Sequence, residues 1–83
     1  MSALLKSKDR LRQTLVEVLG VSDEQLSDET SPATISSWDS LGHLNVVLAL
    51  EDEFGIDLSA EDVLAMRDVG SIRRILQQSG VEV

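Results

Sequence analysis

Ser40 is the residue whose type and position suggest chemistry. It follows Asp39 and opens the segment SLGHLNVVLALEDEF, whose apolar residues and following Gly55 predict a helix over about 40–54. The unpaired backbone N–H groups and the dipole at a helix start favour an anion such as a phosphate. A phosphodiester on the Ser40 hydroxyl would therefore be well placed. The alternative is that Ser40 has only a structural role, as most serines at helix starts do.

His43 stands three residues after Ser40, a spacing that brings two side chains together on a helix. A serine and a neighbouring histidine could form a nucleophile and its base. However, no Gly-x-Ser-x-Gly elbow precedes the serine, no oxyanion hole is evident, and a helical wheel turns His43 towards the core. We therefore expect His43 to pack at the core edge or to bond to the preceding loop, and we expect no catalytic residue.

Thiol and metal chemistry have little support in the composition. The 83 residues include no cysteine and one histidine, which excludes thiolate nucleophiles and cysteine-ligated metals and makes a histidine-based metal site improbable. Glu51, Asp52 and Glu53 are consecutive, so their side chains diverge by about 100° per residue on a helix and cannot converge on one ion. We predict no metal site.

Helices are the elements that must position these residues. The predicted ranges are a first helix over about 3–19, a loop over 20–38, a second helix over about 40–54, a short third helix over about 59–66 and a fourth over about 68–78. Leu26 and Ile35 should hold the loop to the core, and Ser22 with Gln25 could cap a turn within it. Strand periodicity is absent, so the predicted fold is an all-α four-helix bundle, with residues 1–83 as one domain.

The helix over 40–54 is apolar on two sides. Asp39 or Ser37 is expected as its N-cap. Its predicted core face consists of Leu44, Val46, Val47, Leu50 and Phe54. Leu41 and Leu48 fall at the rim of this face. Either the loop covers these two leucines, or they form an apolar spot for a partner, flanked by Glu51 and Asp52.

Acidic residues are concentrated in one part of the chain. The formal charge is −8, and all fifteen acids except Asp9, Asp68 and Glu82 lie between Gln13 and Met66, where there is no Lys or Arg. Nucleic acids and anionic membranes are therefore poor partners. Since no segment approaches the roughly 18 apolar residues of a membrane span and no signal peptide is visible, we expect a cytoplasmic protein, as a monomer.

The segment SSWDSLGHLNVVLALEDEFGIDLSAEDV, which contains Asp39-Ser40-Leu41, resembles the phosphopantetheine attachment site of acyl carrier proteins. The match is broader than the tripeptide. The motif opens a helix that ends in acidic residues and Phe-Gly-Ile, and a Ser-capped short helix and a final helix with Val-x-x-Ile follow. The resemblance extends from the first helix to Leu76, and it implies a four-helix carrier without catalysis of its own.

The resemblance also implies a role for each residue of the motif. A phosphopantetheinyl transferase would move 4'-phosphopantetheine from coenzyme A onto Ser40, Asp39 would help to present the serine, and Leu41 would adjoin the site. The arm would supply the thiol that the chain lacks, and an acyl group would be carried on it as a thioester.

A partner surface on the second and third helices is implied as well. Its residues would be Leu41, Leu48, Glu51, Asp52, Val63 and Met66, with Leu58, Val63 and Met66 near the path of the arm or acyl chain. Basic patches on acyl-loading and acyl-processing enzymes would meet the carboxylates. Such charges set encounter rate and orientation more than lasting affinity.

Three positions depart from the pattern of many fatty-acid-synthesis carriers. Gly42 and Asn45 stand where those carriers often have acids, and Trp38 is more typical of carriers from specialised pathways. Gly42 costs a helix about 1 kcal/mol relative to Ala, so it either permits a partner or the arm to approach closely or is merely tolerated.

We therefore expect an acyl carrier protein of a polyketide, specialised lipid or other secondary pathway. The alternatives are a housekeeping fatty-acid carrier, a peptidyl or D-alanyl carrier, and, from a different class, an unmodified helical interaction domain.

Overall fold

The computed structural model describes residues 10–83, and every regular element in that range is helical. The four α-helices are α1 over Arg10–Leu19, α2 over Ser40–Phe54, α3 over Ala60–Ala65 and α4 over Val69–Gln78, and a 3₁₀ turn spans Asp23–Gln25. The predicted all-α class, with a short third helix, is confirmed. The first seven residues of the predicted first helix, 3–9, lie outside the described residues.

The start of α2 is fixed by two side chains of the preceding loop. Asp39 is the N-cap, since its Oδ1 accepts the backbone N–H of Gly42 at 2.8 Å. Such a cap satisfies a donor that the first turn of a helix leaves unpaired. Ser37, the other N-cap candidate, instead donates its hydroxyl to the carbonyl of Leu19 at 2.7 Å and so ties the loop to the end of α1.

The two later helices begin in the same way. The Ser59 hydroxyl accepts the N–H of Asp62 at 3.0 Å at the start of α3, and Asp68 Oδ1 accepts the N–H of Ser71 at 2.7 Å at the start of α4. Both helices are slightly shorter than predicted, because the capping residues lie outside them and Met66 has left the helical conformation.

The core lies between α1, α2, α4 and the loop. Its buried apolar residues are Leu11, Leu15, Leu19, Leu26, Ile35, Trp38, Val46, Val47, Leu50, Met66, Val69, Ile72, Ile75 and Leu76. Leu26 and Ile35 hold the loop to this core, as predicted. The expectation that Leu44 belongs to the core face is wrong, because its side chain is 53% exposed.

The loop between α1 and α2 is also bound to the start of α4. The Val69 N–H donates to the carbonyl of Thr30 at 3.0 Å, and the Gly70 N–H donates to the carbonyl of Asp28 at 2.8 Å. Earlier in the loop, Gln25 Oε1 accepts the N–H of Ser22 at 2.9 Å, which is the predicted pairing. The middle of this long segment is therefore held to the start of α4, and Ser37 holds its end to α1.

Candidate functional site

Ser40 is the first residue of α2 and lies on the surface. Its hydroxyl makes no hydrogen bond to any other residue within the range 10–83. The Asp39 side chain accepts only the Gly42 N–H, so the N–H groups of Ser40 and Leu41 at the helix start have no partner within the helix. The site can therefore offer an accessible hydroxyl together with the positive end of a helix dipole.

Gly42 explains why the first turn of α2 can pack so closely against the loop. A Cβ at this position would collide with the carbonyl oxygen of Ser37 and would lie 3.3 Å from Asp39 Oδ1. Glycine is therefore required by the backbone of this chain itself. Neither alternative offered from the sequence, close approach of a partner or arm and mere tolerance, is needed to account for it.

His43 bridges the loop and α3. Trp38 Nε1 donates to His43 Nδ1 at 3.0 Å, and His43 Nε2 lies 3.0 Å from the carbonyl oxygen of Val63. Because an indole N–H can only donate, Nδ1 is the acceptor, and the ring proton of a neutral imidazole sits on Nε2 and is donated to Val63. The expected bond between His43 and the loop is confirmed. Both ring nitrogens are engaged away from Ser40, so His43 does not act as its base here.

Four leucines of α2 and α3 are exposed, and the three on α2 form an apolar patch. The side chains of Leu41, Leu44 and Leu48 are 66%, 53% and 55% exposed, and that of Leu64 in α3 is 78% exposed. The first three recur at intervals of three and four residues, which places them on one face of α2. The alternative in which the loop covers Leu41 and Leu48 is wrong. Leu44 and Leu64 were not predicted as surface residues, although the spacing of Leu44 to its two neighbours could have revealed it.

Other residues expected on the partner surface have structural roles. Met66 is 3% exposed and belongs to the core, so the expectation that it contacts partners is corrected. Glu51 is half-buried, and its Oε2 accepts the N–H of Leu58 at 2.9 Å, which holds the segment after α2. Val63 is half-buried, whereas Asp52 is exposed beside the apolar patch.

A shallow depression lies one helical turn from Ser40. It has a volume of about 340 Å³ and is lined by Pro32, His43, Val63, Leu64, Met66 and Arg67. Its size is at the lower end of the range of small-molecule sites, about 300–1,000 Å³. The depression opens to solvent next to the exposed Leu64.

Ion pairs occur away from this site. Arg10 binds Glu53 at 3.1 Å, and Arg12 binds Asp23 at 2.9 Å. The hydrogen bond from Arg12 lowers the pKa of Asp23. Exposed pairs of this kind contribute little to stability, because solvent screens the two charges. Asp52 has no ion pair among the described residues, so its charge remains available beside the patch.

Two further features bear on function. Among the described residues, no group of three or more His, Asp and Glu side chains is arranged to hold a metal ion. No helix within the range 10–83 has both the length and the apolarity needed to cross a membrane.

Comparison with known families identifies the protein class. The family model described as "Phosphopantetheine attachment site" matches residues 9–76, most of the chain. The chain belongs to the phosphopantetheine attachment site family. Members of this family carry covalently attached 4'-phosphopantetheine, so the chain is a phosphopantetheine-carrying carrier protein. Carriers of this family interact with a phosphopantetheinyl transferase and with acyl-processing enzymes, and they are generally not catalytic themselves.

The start of α2 fits such a prosthetic group. A phosphodiester is an anion, and the free N–H groups and dipole at a helix start stabilise an anion. Ser40 is exposed at this point, and no side chain among the described residues forms a hydrogen bond with its hydroxyl.

Proposed function

We propose that this chain is an acyl carrier protein in which Ser40 carries 4'-phosphopantetheine, and that it serves a polyketide, specialised lipid or other secondary pathway. The observation that supports Ser40 most directly is its free, exposed hydroxyl at the start of α2 within a matched carrier domain. The neighbouring Ser37 is a poorer candidate, because its hydroxyl is engaged with the carbonyl of Leu19.

Attachment would be a phosphoryl transfer from coenzyme A, catalysed by a separate transferase with magnesium. Ser40 Oγ would bond to the phosphorus of the pantetheine phosphate, and the bond from that phosphorus to the nucleotide would break. The nucleotide leaves as a bisphosphate, and the transferase takes the hydroxyl proton. Once attached, the arm supplies a thiol that holds an acyl group as a thioester.

The residues of the chain itself position the acceptor. Asp39 caps α2 through the Gly42 N–H and so holds the first helical turn with the Ser40 hydroxyl outward. Asp39 as a residue is exposed, so we assign its carboxyl group the presentation of Ser40 to the transferase. Leu41 follows directly and is the leucine of the apolar patch nearest to the acceptor in the chain.

The proposed partner surface consists of the apolar patch of Leu41, Leu44 and Leu48 on α2, the exposed Leu64 of α3 and the charge of Asp52. Leucines in the middle of such a surface would bind through burial, and the carboxylates at its rim would attract basic enzymes. The contacts should weaken as salt is added, because the Debye length is only about 8 Å at physiological ionic strength. We place this carrier in the cytoplasm as a monomer whose partners are the transferase and acyl-loading and acyl-processing enzymes with basic docking patches.

A secondary pathway is favoured over housekeeping fatty-acid synthesis by the residues around the motif. Gly42 and Asn45 put no charge on the first two turns of α2, where many fatty-acid carriers have acids. Partner choice close to Ser40 would then depend on the leucines. The housekeeping fatty-acid carrier and the aminoacyl carriers remain the alternatives.

Mass measurement after enzymatic loading tests the attachment residue. The protein is incubated with coenzyme A, magnesium and a broad-specificity phosphopantetheinyl transferase, and the intact mass is recorded. We expect the mass of one phosphopantetheinyl group to be gained by the wild type and by Ser37→Ala, and not by Ser40→Ala. An unchanged wild-type mass, with a transferase that modifies a reference carrier, would contradict the proposal.

A further inference from the structure

We propose that Trp38, His43 and the Val63 carbonyl form a bridge that closes the α2–α3 interface beside Ser40 and keeps an acyl cargo outside the helical core. His43 is a positioning residue in this proposal. The proposal rests on the proposed function, because the cargo in question is the one carried on Ser40.

The bridge joins three parts of the chain through one imidazole ring. The loop provides the indole N–H of Trp38, α2 provides His43, and α3 provides the Val63 carbonyl. The Trp38 and His43 ring planes are inclined by only 20° with centroids 6.2 Å apart, so the two rings lie edge to edge and nearly coplanar along this bond. A single neutral tautomer satisfies both hydrogen bonds, so the ring holds α3 in one position relative to α2.

The Val63 carbonyl is suited to accept this bond. It lies in the last turn of α3, where carbonyl groups lack partners within the helix. Its remaining contact, with the Met66 N–H, is long at 3.4 Å. His43 therefore provides a hydrogen bond that the short helix cannot provide for itself, and the end of α3 depends on a side chain of α2.

Trp38 fills the space behind the bridge. Its side chain is 1% exposed and is one of the largest that are completely buried. It stands two residues before Ser40 in the chain, so a fully buried indole ring lies close to the attachment point in sequence and occupies part of the core. An acyl chain that entered there would have to displace a side chain that buries about 150–250 Å².

Opening the interface would also leave polar groups without partners. Within the range 10–83, no buried side-chain nitrogen or oxygen lacks a hydrogen bond. Separation of α3 from α2 would break the bond to Val63, and movement of the indole would leave its N–H unpaired in the core. Buried donors without partners are strongly disfavoured, so the bridge favours the closed state.

The first test measures the bridge without cargo. Nitrogen-15 NMR of the unmodified protein should show a neutral His43 ring with its proton on Nε2 and a Trp38 indole proton protected from solvent exchange. We expect that proton to exchange at least about fivefold faster in His43→Ala, because its acceptor is lost. His43→Gln should restore protection, since an amide can accept from Trp38 and donate to Val63. A ring proton on Nδ1, or an indole exchange rate equal in wild type and His43→Ala, would overturn the bridge.

The second test follows the cargo. Wild type, His43→Ala, His43→Gln and Trp38→Phe are loaded from octanoyl coenzyme A by the transferase, and core methyl shifts are compared with those of the same proteins carrying the unacylated arm. Val46, Leu50 and Ile72 report on the core. We expect no octanoyl-dependent shift of these methyls in wild type or His43→Gln, and clear shifts in His43→Ala and Trp38→Phe.

The outcomes separate this proposal from the proposed function. Octanoyl-dependent core shifts in the wild type, or core shifts absent from all variants, would overturn the exclusion of cargo while leaving the attachment intact. Failure of the mass to change on loading would contradict Ser40 attachment, while the indole exchange and tautomer of the unmodified protein would still decide whether the bridge exists. Gln78→Ala, an exposed change on α4, serves as the control in both tests.

Discussion

The carbonyl oxygen of Ser37 lies so close to Gly42 that no Cβ can be placed on the glycine. The contact joins the loop to the first turn of α2, and the Ser37 hydroxyl continues the connection to the Leu19 carbonyl at the end of α1. The Gly42 N–H in turn donates to Asp39. The helical turn that carries Ser40 is therefore held by the path of the loop and by the end of α1.

Gly42→Ala should destabilise the protein. At an open helix position, replacing Gly with Ala gains about 1 kcal/mol. Here the new methyl group meets the Ser37 carbonyl, and overpacking of this kind typically costs about 1–3 kcal/mol. Urea unfolding followed by circular dichroism measures the change. Asn45→Ala, at an exposed position on the same helix, is the control and should change the stability by less than about 0.5 kcal/mol. If Gly42→Ala were as stable as the wild type or more stable, the loop at Ser37 could move to admit the methyl group at little cost in free energy.

Asp39 combines a cap with a charge, and two variants separate these roles. Asp39→Ala should lower the free energy of unfolding by about 0.5–2 kcal/mol, because the Gly42 N–H loses its acceptor. Asp39→Asn should keep the stability, since Asn caps as well as Asp does. If the carboxylate presents Ser40 to the transferase, kcat/KM for phosphopantetheinylation should fall in both variants, although Asp39→Asn keeps its stability. An unchanged kcat/KM in Asp39→Asn would limit Asp39 to capping.

The exposed leucines should contribute to partner binding and little to stability. Leu44→Glu and Leu48→Glu are expected to unfold at nearly the wild-type urea concentration, because both side chains are more than half exposed. Their kcat/KM with the transferase should fall, since each places a charge within the apolar patch. Gln78→Glu adds the same charge on an exposed part of α4 and should leave kcat/KM unchanged. Loss of the fold in Leu44→Glu or Leu48→Glu would assign that leucine to the core.

The sequence predicted the helical class and Ser40 at the start of a helix, because caps, glycine stops and apolar periodicity are local signals. The prediction that Leu44 lies on the core face of α2 was wrong for a physical reason. The segment 40–54 is apolar on both faces, so no polar side marks where burial ends. The exposure of Leu44 follows from which elements cover α2, and that depends on contacts between residues distant in the chain.

The two contacts that shape the site also lay beyond local patterns. The Ser37–Gly42 contact depends on the path of an irregular loop, which has no periodicity from which to infer it. The bond from His43 to Val63 joins residues twenty positions apart. The sequence could predict that His43 bonds to the loop. The second hydrogen bond, to Val63, could not be predicted because it depends on where the six-residue helix α3 lies. Without this bond the Val63 carbonyl in the last turn of α3 would keep only its long contact with the Met66 N–H.

Acid should weaken the start of α4 through Asp68. Hydrogen bonds from the backbone N–H and the hydroxyl of Ser71, both at 2.7 Å, lower the pKa of the Asp68 carboxyl. Because the folded-state pKa lies below that of the unfolded chain, about 3.9, the ionised carboxylate contributes its full stability above that value. This contribution is lost as the pH falls through the lower, folded-state pKa.

Asp68→Asn tests this dependence, because the amide oxygen can still cap α4 but does not titrate. At pH 7 the variant should be less stable by at most about 1 kcal/mol, since only the interaction of the charge with the helix dipole is removed. Urea unfolding of both proteins between pH 7 and pH 2.5 should show a constant difference down to about pH 4 and a shrinking one below it. A difference that stayed constant to pH 2.5 would mean that protonation of Asp68 does not affect folding. Ser71→Ala removes the hydroxyl donor to Asp68 and keeps the backbone N–H donor. It should therefore reduce the pH-dependent part of the free energy of unfolding while leaving the backbone cap in place.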